Sequence, residues 1–245
     1  MNESITVILS TLLGLASGFI SGIATGGGMV SIPALMFMGL SPSTAIATTS
    51  LVGVSSLTST FKYHRSNLIQ DRRVLPMVLL AFLGGIAGSK LLLDINQHFM
   101  QKAFGAICLI LAAVMASTSG TPRQAGTKSH NLVGLTLMFL SSAFASIFGT
   151  SGGLLTVFIL SYFYGMAMLE ANASSKLITL GGVVSSILIF AYAGAIDFTV
   201  GVPLAVGSAA GGYIGAHTAI KKGDARVKRI FLAIVILSGL KLLFS

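Results

Sequence analysis

Long apolar runs alternate with short polar connections along almost the whole chain. The runs over 74–93, 131–148 and 198–219 each hold about 18 or more residues with almost no charge. At ~1.5 Å per helical residue that is enough to cross the hydrocarbon of a bilayer. Further apolar runs cover 5–22, 104–115 and 171–192, and another closes at Tyr63-His64-Arg65. Two shorter apolar pieces, 29–40 and 153–165, are each entered through a glycine cluster. The pattern predicts an all-α polytopic membrane protein with four long transmembrane helices and one short glycine-broken segment in each half. The run at 5–22 counts as a membrane helix and not as a signal peptide, because Glu3 stands where a basic leader would be.

The two glycine clusters are the most informative local feature. One reads Ser21-Gly22-Ile23-Ala24-Thr25-Gly26-Gly27-Gly28-Met29-Val30-Ser31-Ile32-Pro33, the other Ser146-Ile147-Phe148-Gly149-Thr150-Ser151-Gly152-Gly153-Leu154-Leu155-Thr156. Glycine clusters break helices, and broken backbone at membrane depth persists only where protein or a watery cavity satisfies it. Paired breaks in corresponding positions of two halves point to a transporter's binding site. The halves do correspond. Pro76, Gly84, Gly85, Gly88, Phe104 and Ile107 recur 127 positions later as Pro203, Gly211, Gly212, Gly215, Phe231 and Ile234. Upstream the offset is 126 for Leu51 and Leu177 and 125 for Gly27 and Gly152, so two single-residue insertions complete an internal repeat. The boundaries read as a first transmembrane repeat over 1–117, a cytoplasmic connecting loop over 118–130 and a second repeat over 131–245.

Composition supports the membrane assignment: 54% of residues are hydrophobic and 9% charged, against about 25% charged in a soluble domain. The net charge of +9 reads as topology and not as affinity for nucleic acid. Eleven of the fifteen lysines and arginines fall in three loops, at Lys62–Arg73 in the sequence, at Arg123 and Lys128, and from Lys221 to Arg229. The positive-inside rule makes these loops cytoplasmic and turns the connections near Asp94 and Asp197 outwards. Equivalent loops of the two halves thus carry opposite charge bias, which predicts inverted repeats. Inversion requires an odd number of crossings per half, so the short segment would complete a crossing; a re-entrant short segment would leave four crossings and parallel halves. Tyr63, His64 and Arg65 read as interfacial anchors. Cys108, the single cysteine, has no partner for a disulfide and reads as an inert buried thiol.

The glycine break, Ile32-Pro33, Gly39-Leu40-Ser41-Pro42 and the small-residue run Ala45-Ile46-Ala47-Thr48-Thr49-Ser50-Leu51 resemble the TauE/SafE (sulfite exporter-like, TSUP) family of permeases. The second half repeats the pattern as Gly152-Gly153-Leu154-Leu155-Thr156-Val157 and Ala171-Asn172-Ala173-Ser174-Ser175-Lys176-Leu177. The resemblance covers the whole chain and rests on order and duplication. It implies transport of sulfite, thiosulfate, sulfonates or related organosulfur and carboxylate anions across a bacterial or archaeal inner membrane. The chain departs from the family where Phe158 replaces a frequent proline and where Thr49-Ser50 replaces a frequent Asn-Lys, leaving Lys176 as the basic residue of only one run.

The residues themselves suggest how an anion would be held. A helix beginning after Gly28 or Gly153 directs free N–H groups and partial positive charge at the break. The candidate binding residues are Thr25, Gly26, Gly27, Gly28 and Ser31 in the first break, with Ser151, Gly152, Gly153 and Thr156 in the second. Thr48, Thr49 and Ser50, and Asn172, Ser174, Ser175 and Lys176, supply the two small-residue runs. Lys176 stands inside an apolar segment, where a charge needs a partner or a task. The expected partners are a small sulfur-containing or carboxylate anion and membrane lipid, with the chain a monomer or a homodimer. No cofactor is expected, no catalytic constellation or metal-ligand spacing occurs, and no phosphate-binding loop indicates ATP. The reading is a secondary anion transporter working by alternating access, with a passive anion channel as alternative and an intramembrane enzyme behind it.

Overall fold

The computed structural model describes residues 3–69, 71–94, 128–147, 149, 153–223 and 229. The run at 104–115 with Cys108, most of the connecting loop, and Thr150, Ser151 and Gly152 lie outside the described residues. Those described form α1 (Glu3–Ala24), α2 (Gly28–Phe37), α3 (Pro42–Thr49), a 3₁₀ turn (Ser50–Gly53), α4 (Val54–His64), α5 (Asp71–Asp94), α6 (Lys128–Ile147), α7 (Gly153–Phe163), α8 (Met168–Tyr192) and α9 (Phe198–Lys222). Within α1, α5, α8 and α9 lie spans long and apolar enough to cross a membrane, and α7 is a shorter apolar helix. Helix starts follow local chemistry. Ser41 caps α3 ahead of Pro42, and the Asp197 side chain accepts from the Thr199 and Val200 N–H groups at the start of α9.

Large apolar side chains face outwards and small ones inwards, the arrangement expected where the solvent is lipid and association depends on close packing. On α1, Ile5, Ile8 and Leu12 are exposed, while Ser10, Gly14, Ser17, Gly18 and Ser21 are buried. On α5, Leu75, Leu79 and Leu83 form the exposed stripe.

The packing joins the first helix of each half to a late helix of the other. A β-carbon on Gly84 or Gly88 of α5 would overlap the Phe139 or Ala143 carbonyl oxygen of α6. Gly211 and Gly215 of α9, 127 positions later, meet the Leu15 and Phe19 carbonyl oxygens of α1 in the same way. One residue further on, Gly85 abuts Gly182 of α8 and Gly212 abuts Ser55 of α4. The two halves are thus interleaved.

Each short helix doubles back along the long helix before it. Leu35, near the end of α2, belongs to one cluster with Val200 and Leu204 at the start of α9, against which Leu13 of α1 packs, whereas Gly22 at the break lies against Gly212 and Gly215. In the second half, Ser141 and Thr156 share a hydrogen bond of 2.9 Å between α6 and α7. Tyr164, just past α7, lies against Gly134 near the start of α6. α1–α2 and α6–α7 are therefore helical hairpins whose tips are the glycine breaks. The short glycine-entered segment expected in each half is thus a return along the helix before it.

A second difference concerns the run from 42 to 64, which reads as one helix but is interrupted by the 3₁₀ turn, while its counterpart α8 is continuous. The first half has one residue fewer here, since the offset rises from 126 at Leu51 to 127 at Ser55 and Gly182. A 3₁₀ turn rises ~2.0 Å per residue against ~1.5 Å in an α-helix, so its four residues span about the length of five α-helical ones. The tighter winding restores the register of the two halves.

Candidate functional site

The break after α1 is built on three buried carbonyls. The last turn of any helix leaves C=O groups without intrahelical donors and carries partial negative charge. Here the carbonyls are those of Ser21, which also accepts from the Thr25 N–H at 3.0 Å, and of Gly22 and Ile23, and three side chains from other helices answer them. Lys176 of α8 is fully buried, and its Nζ donates to the Ser21 carbonyl and to Thr25 Oγ1, the latter at 3.0 Å. One turn earlier on the same face, Asn172 Nδ2 donates to the Ile23 carbonyl at 2.8 Å and to the Tyr63 hydroxyl at 2.9 Å. Tyr63 in turn donates to the Gly22 carbonyl at 2.8 Å.

Thr25 closes the network by donating to Asn172 Oδ1 at 3.0 Å. It does so from φ +57°, a left-handed conformation that is unusual for a β-branched residue. Gly26 and Gly27 then bring the chain round into α2. Gly26 has φ +128°, and a β-carbon on Gly27 would overlap the Ser17 carbonyl oxygen of α1.

The second break meets the first. A β-carbon on Gly153, the first residue of α7, would overlap the Thr25 methyl, and one on Gly149 would lie 2.9 Å from Ile32 Cδ1. Beside this junction is a small cavity with an open side. Its polar lining is Ser50, Ser142, Ser146, Thr156, Thr179 and Ser186, and Gly149, Gly153, Gly182 and Phe190 form further parts of the wall. The cavity adjoins the amino end of α7 and the carboxyl end of α6, the ends at which helices present N–H and C=O groups respectively.

The structure divides the sequence-predicted residues into groups. Ser50, Gly153 and Thr156 line the cavity. Thr25, Asn172 and Lys176 form the adjoining network, so Lys176 stands behind the cavity and not in its wall. Gly26, Gly27 and Gly28 shape the hairpin tip, and Ser31 donates back to the Gly27 carbonyl at 3.3 Å. Thr48 is turned to the other end, where it accepts from the Asp197 N–H at 3.0 Å. Ser175 donates to the Asn172 carbonyl of its own helix. Thr49 and Ser174 are buried with hydroxyls that find no partner among the described residues. Ser151 and Gly152 lie outside those residues.

Two corrections follow. Tyr63 is not an interfacial anchor: it is fully buried and holds the end of α1, while His64 and Arg65 beside it are exposed. Ser142, Ser146, Thr179 and Ser186 were missed as lining residues. Their signal was present as hydroxyls at i, i+4 spacing (Ser142 and Ser146) and i, i+3 or i+4 steps through Gly182 (Thr179 and Ser186) within apolar helices.

Comparison with known proteins agrees with this architecture. The model of the sulfite exporter TauE/SafE family matches residues 10–242. The chain belongs to the TauE/SafE family. Among curated relatives, a probable membrane transporter protein, ORF9, of a Sinorhizobium species is 29% identical over 235 residues, covering 93% of this chain and 88% of that protein. The probable membrane transporter protein YfcA of Escherichia coli K12 is 23% identical over 238 residues, covering 94% and 87%. A probable membrane transporter protein of Haemophilus influenzae is 23% identical over 236 residues, covering 95% and 92%. No solved structure matches the chain. Family membership and the apolar spans together make this TauE/SafE protein a multi-pass membrane protein.

Proposed function

We propose that this membrane transporter of the TauE/SafE family is a secondary transporter that moves a small anion by alternating access. Sulfite, thiosulfate, sulfonates and related carboxylates are the candidate substrates, the family model being that of a sulfite exporter. The observation that carries the reading is the meeting of two helix breaks in the interior beside a hydroxyl-lined cavity. On one side of that cavity the N–H groups opening α7, with Thr156 and Thr179, offer the donors an oxyanion accepts. Lys176 adds positive potential through Thr25 without occupying the space.

The halves are inverted in this reading. A hairpin makes no net crossing, so α1–α2 and α6–α7 drop out of the count. The run from α3 to α4 and α5 then give the first half two crossings, and the apolar sequence at 104–115, which lies outside the described residues and is counted on the sequence expectation alone, brings the number to three. On the same sequence expectation, α8 and α9 with the apolar sequence after Arg229 give the second half three. Reciprocal contacts of α5 with α6 and of α9 with α1 are what a two-fold axis in the membrane plane would generate. Transport then consists of one hairpin–helix unit rocking against its counterpart around the breaks.

The test is binding of labelled sulfite, thiosulfate and small sulfonates to purified protein. Lys176→Ala should weaken binding of the preferred anion about tenfold or more, a loss of ~1.4 kcal/mol, while Lys221→Ala at the exposed end of α9 leaves it unchanged. Equal, small effects of both substitutions would remove Lys176 from the site.

A further inference from the structure

The donors that close the end of α1 have counterparts in the other half that cannot do the same. By the repeat, Lys176 corresponds to Ser50 and Asn172 to Ile46 at an offset of 126, and Tyr63 corresponds to Phe190 at 127. The change of offset is fixed by contacts independent of these residues, Gly212 against Ser55 and Gly85 against Gly182. Lys176 and Tyr63 lie on the carbonyls of Ser21 and Gly22. Ser50 and Phe190 line the cavity, together with Ser146, the counterpart of Ser21 at an offset of 125. The cavity is therefore, in the second half, the place that the Lys176 ammonium fills in the first.

Its chemistry suits a positive charge for the same reason. α6 ends at this wall, and its last carbonyls point towards the break. The Ser146 and Ser186 hydroxyls share a hydrogen bond of 2.7 Å in which either can donate, and each also lies on a carbonyl of its own helix, Ser142 and Gly182 respectively, so both protons are committed within the protein. Ser142 donates to the Ala81 carbonyl and Ser50 to the Ala47 carbonyl. Hydroxyls so engaged turn oxygen lone pairs to the space between them. Among the described residues the lining includes no carboxylate, which disfavours calcium or magnesium, ions that usually take one or more.

We propose that this side of the cavity binds a small monovalent cation through hydroxyl and carbonyl oxygens around Ser50, Ser146 and Ser186. Sodium and the ammonium group of a substrate share this chemistry. A cation here neighbours the N–H groups of α7, so it and an anion held there stabilise one another, and each raises the other's affinity by the same factor. That coupling rests on the transport reading above; binding of the cation does not.

The experiment is thermal unfolding of the purified protein without anion substrate, in choline chloride replaced stepwise by sodium, potassium or methylammonium chloride at constant ionic strength. A ligand of the folded state raises the midpoint in a saturable way, and the proposal predicts such a rise with sodium or methylammonium, the active salt naming the source. Ser50→Lys should place a tethered ammonium in the cavity, abolishing the salt-dependent rise while keeping the midpoint in choline at or above that of the unsubstituted chain. Should that variant fail to fold, Ser186→Ala is expected to raise the half-saturating concentration several-fold. No rise with either cation, or a rise unchanged in the folded variants, would overturn the proposal. Cation binding without any anion transport would leave it standing and remove the coupling.

Discussion

Thr25 and Tyr63 show what individual residues contribute at the first break. A β-branched residue held at positive φ costs on the order of 1–3 kcal/mol, and Thr25 is kept there by Lys176, Asn172 and the contact with Gly153. Tyr63→Phe removes one hydroxyl that both donates to Gly22 and accepts from Asn172, leaving these two buried groups only their long 3.4 Å contact with each other in its place. The ring, and hence the packing, is kept. The expected loss is about 1–3 kcal/mol of folding stability, measured by denaturant unfolding in micelles; an unchanged midpoint would contradict the role given to Tyr63. Lys176 was legible in the sequence because a charge inside an apolar run demands a partner. Tyr63 was not, since His64 and Arg65 beside it give the segment end the composition of an interface. Burial follows from direction: a helical side chain leans back towards the amino end of its helix, which carries the Tyr63 ring inwards while the two residues after it stay exposed.

At the scale of elements, the glycine spacing announced close helix packing but did not name the partners. Gly84 and Gly88 fit equally well with contacts inside their own half; the structure seats them on α6 of the other half. Gly18→Val on α1 and Gly88→Val on α5 each drive a side chain into a facing carbonyl group, Ser208 and Ala143 respectively. Each should cost about 1–3 kcal/mol or more by overpacking. Leu79→Val, on the exposed stripe of α5, should leave the midpoint within about 0.5 kcal/mol. Comparable melting of all three variants would argue against the reciprocal packing. The hairpins were not legible, because periodicity reports which face of a helix is buried but not whether the next helix continues or returns. Nor was the 3₁₀ turn, whose cause is a one-residue difference in length between the halves.

The whole molecule rests on the relation between those halves. Duplication could be read directly from Pro76, Gly84, Gly85 and Gly88 and their partners, and membrane insertion from the apolar runs. The direction of the halves could not, because counting crossings from apolar length treats a hairpin as a span. In the proposed reading the hairpins bring charge bias and crossing parity into agreement on inversion, with one interior site where the two breaks meet. The decisive measurement is accessibility of single cysteines in intact cells, on a Cys108→Ser background, to a membrane-impermeant maleimide. Ser66→Cys, between α4 and α5, and Ala193→Cys, at the end of α8, mark corresponding connections of the two halves, and both positions are exposed. The account predicts that Ala193→Cys is labelled from outside and Ser66→Cys only after the cells are opened. Labelling of both from the same side would make the halves parallel and remove the basis for a shared, alternately opened site.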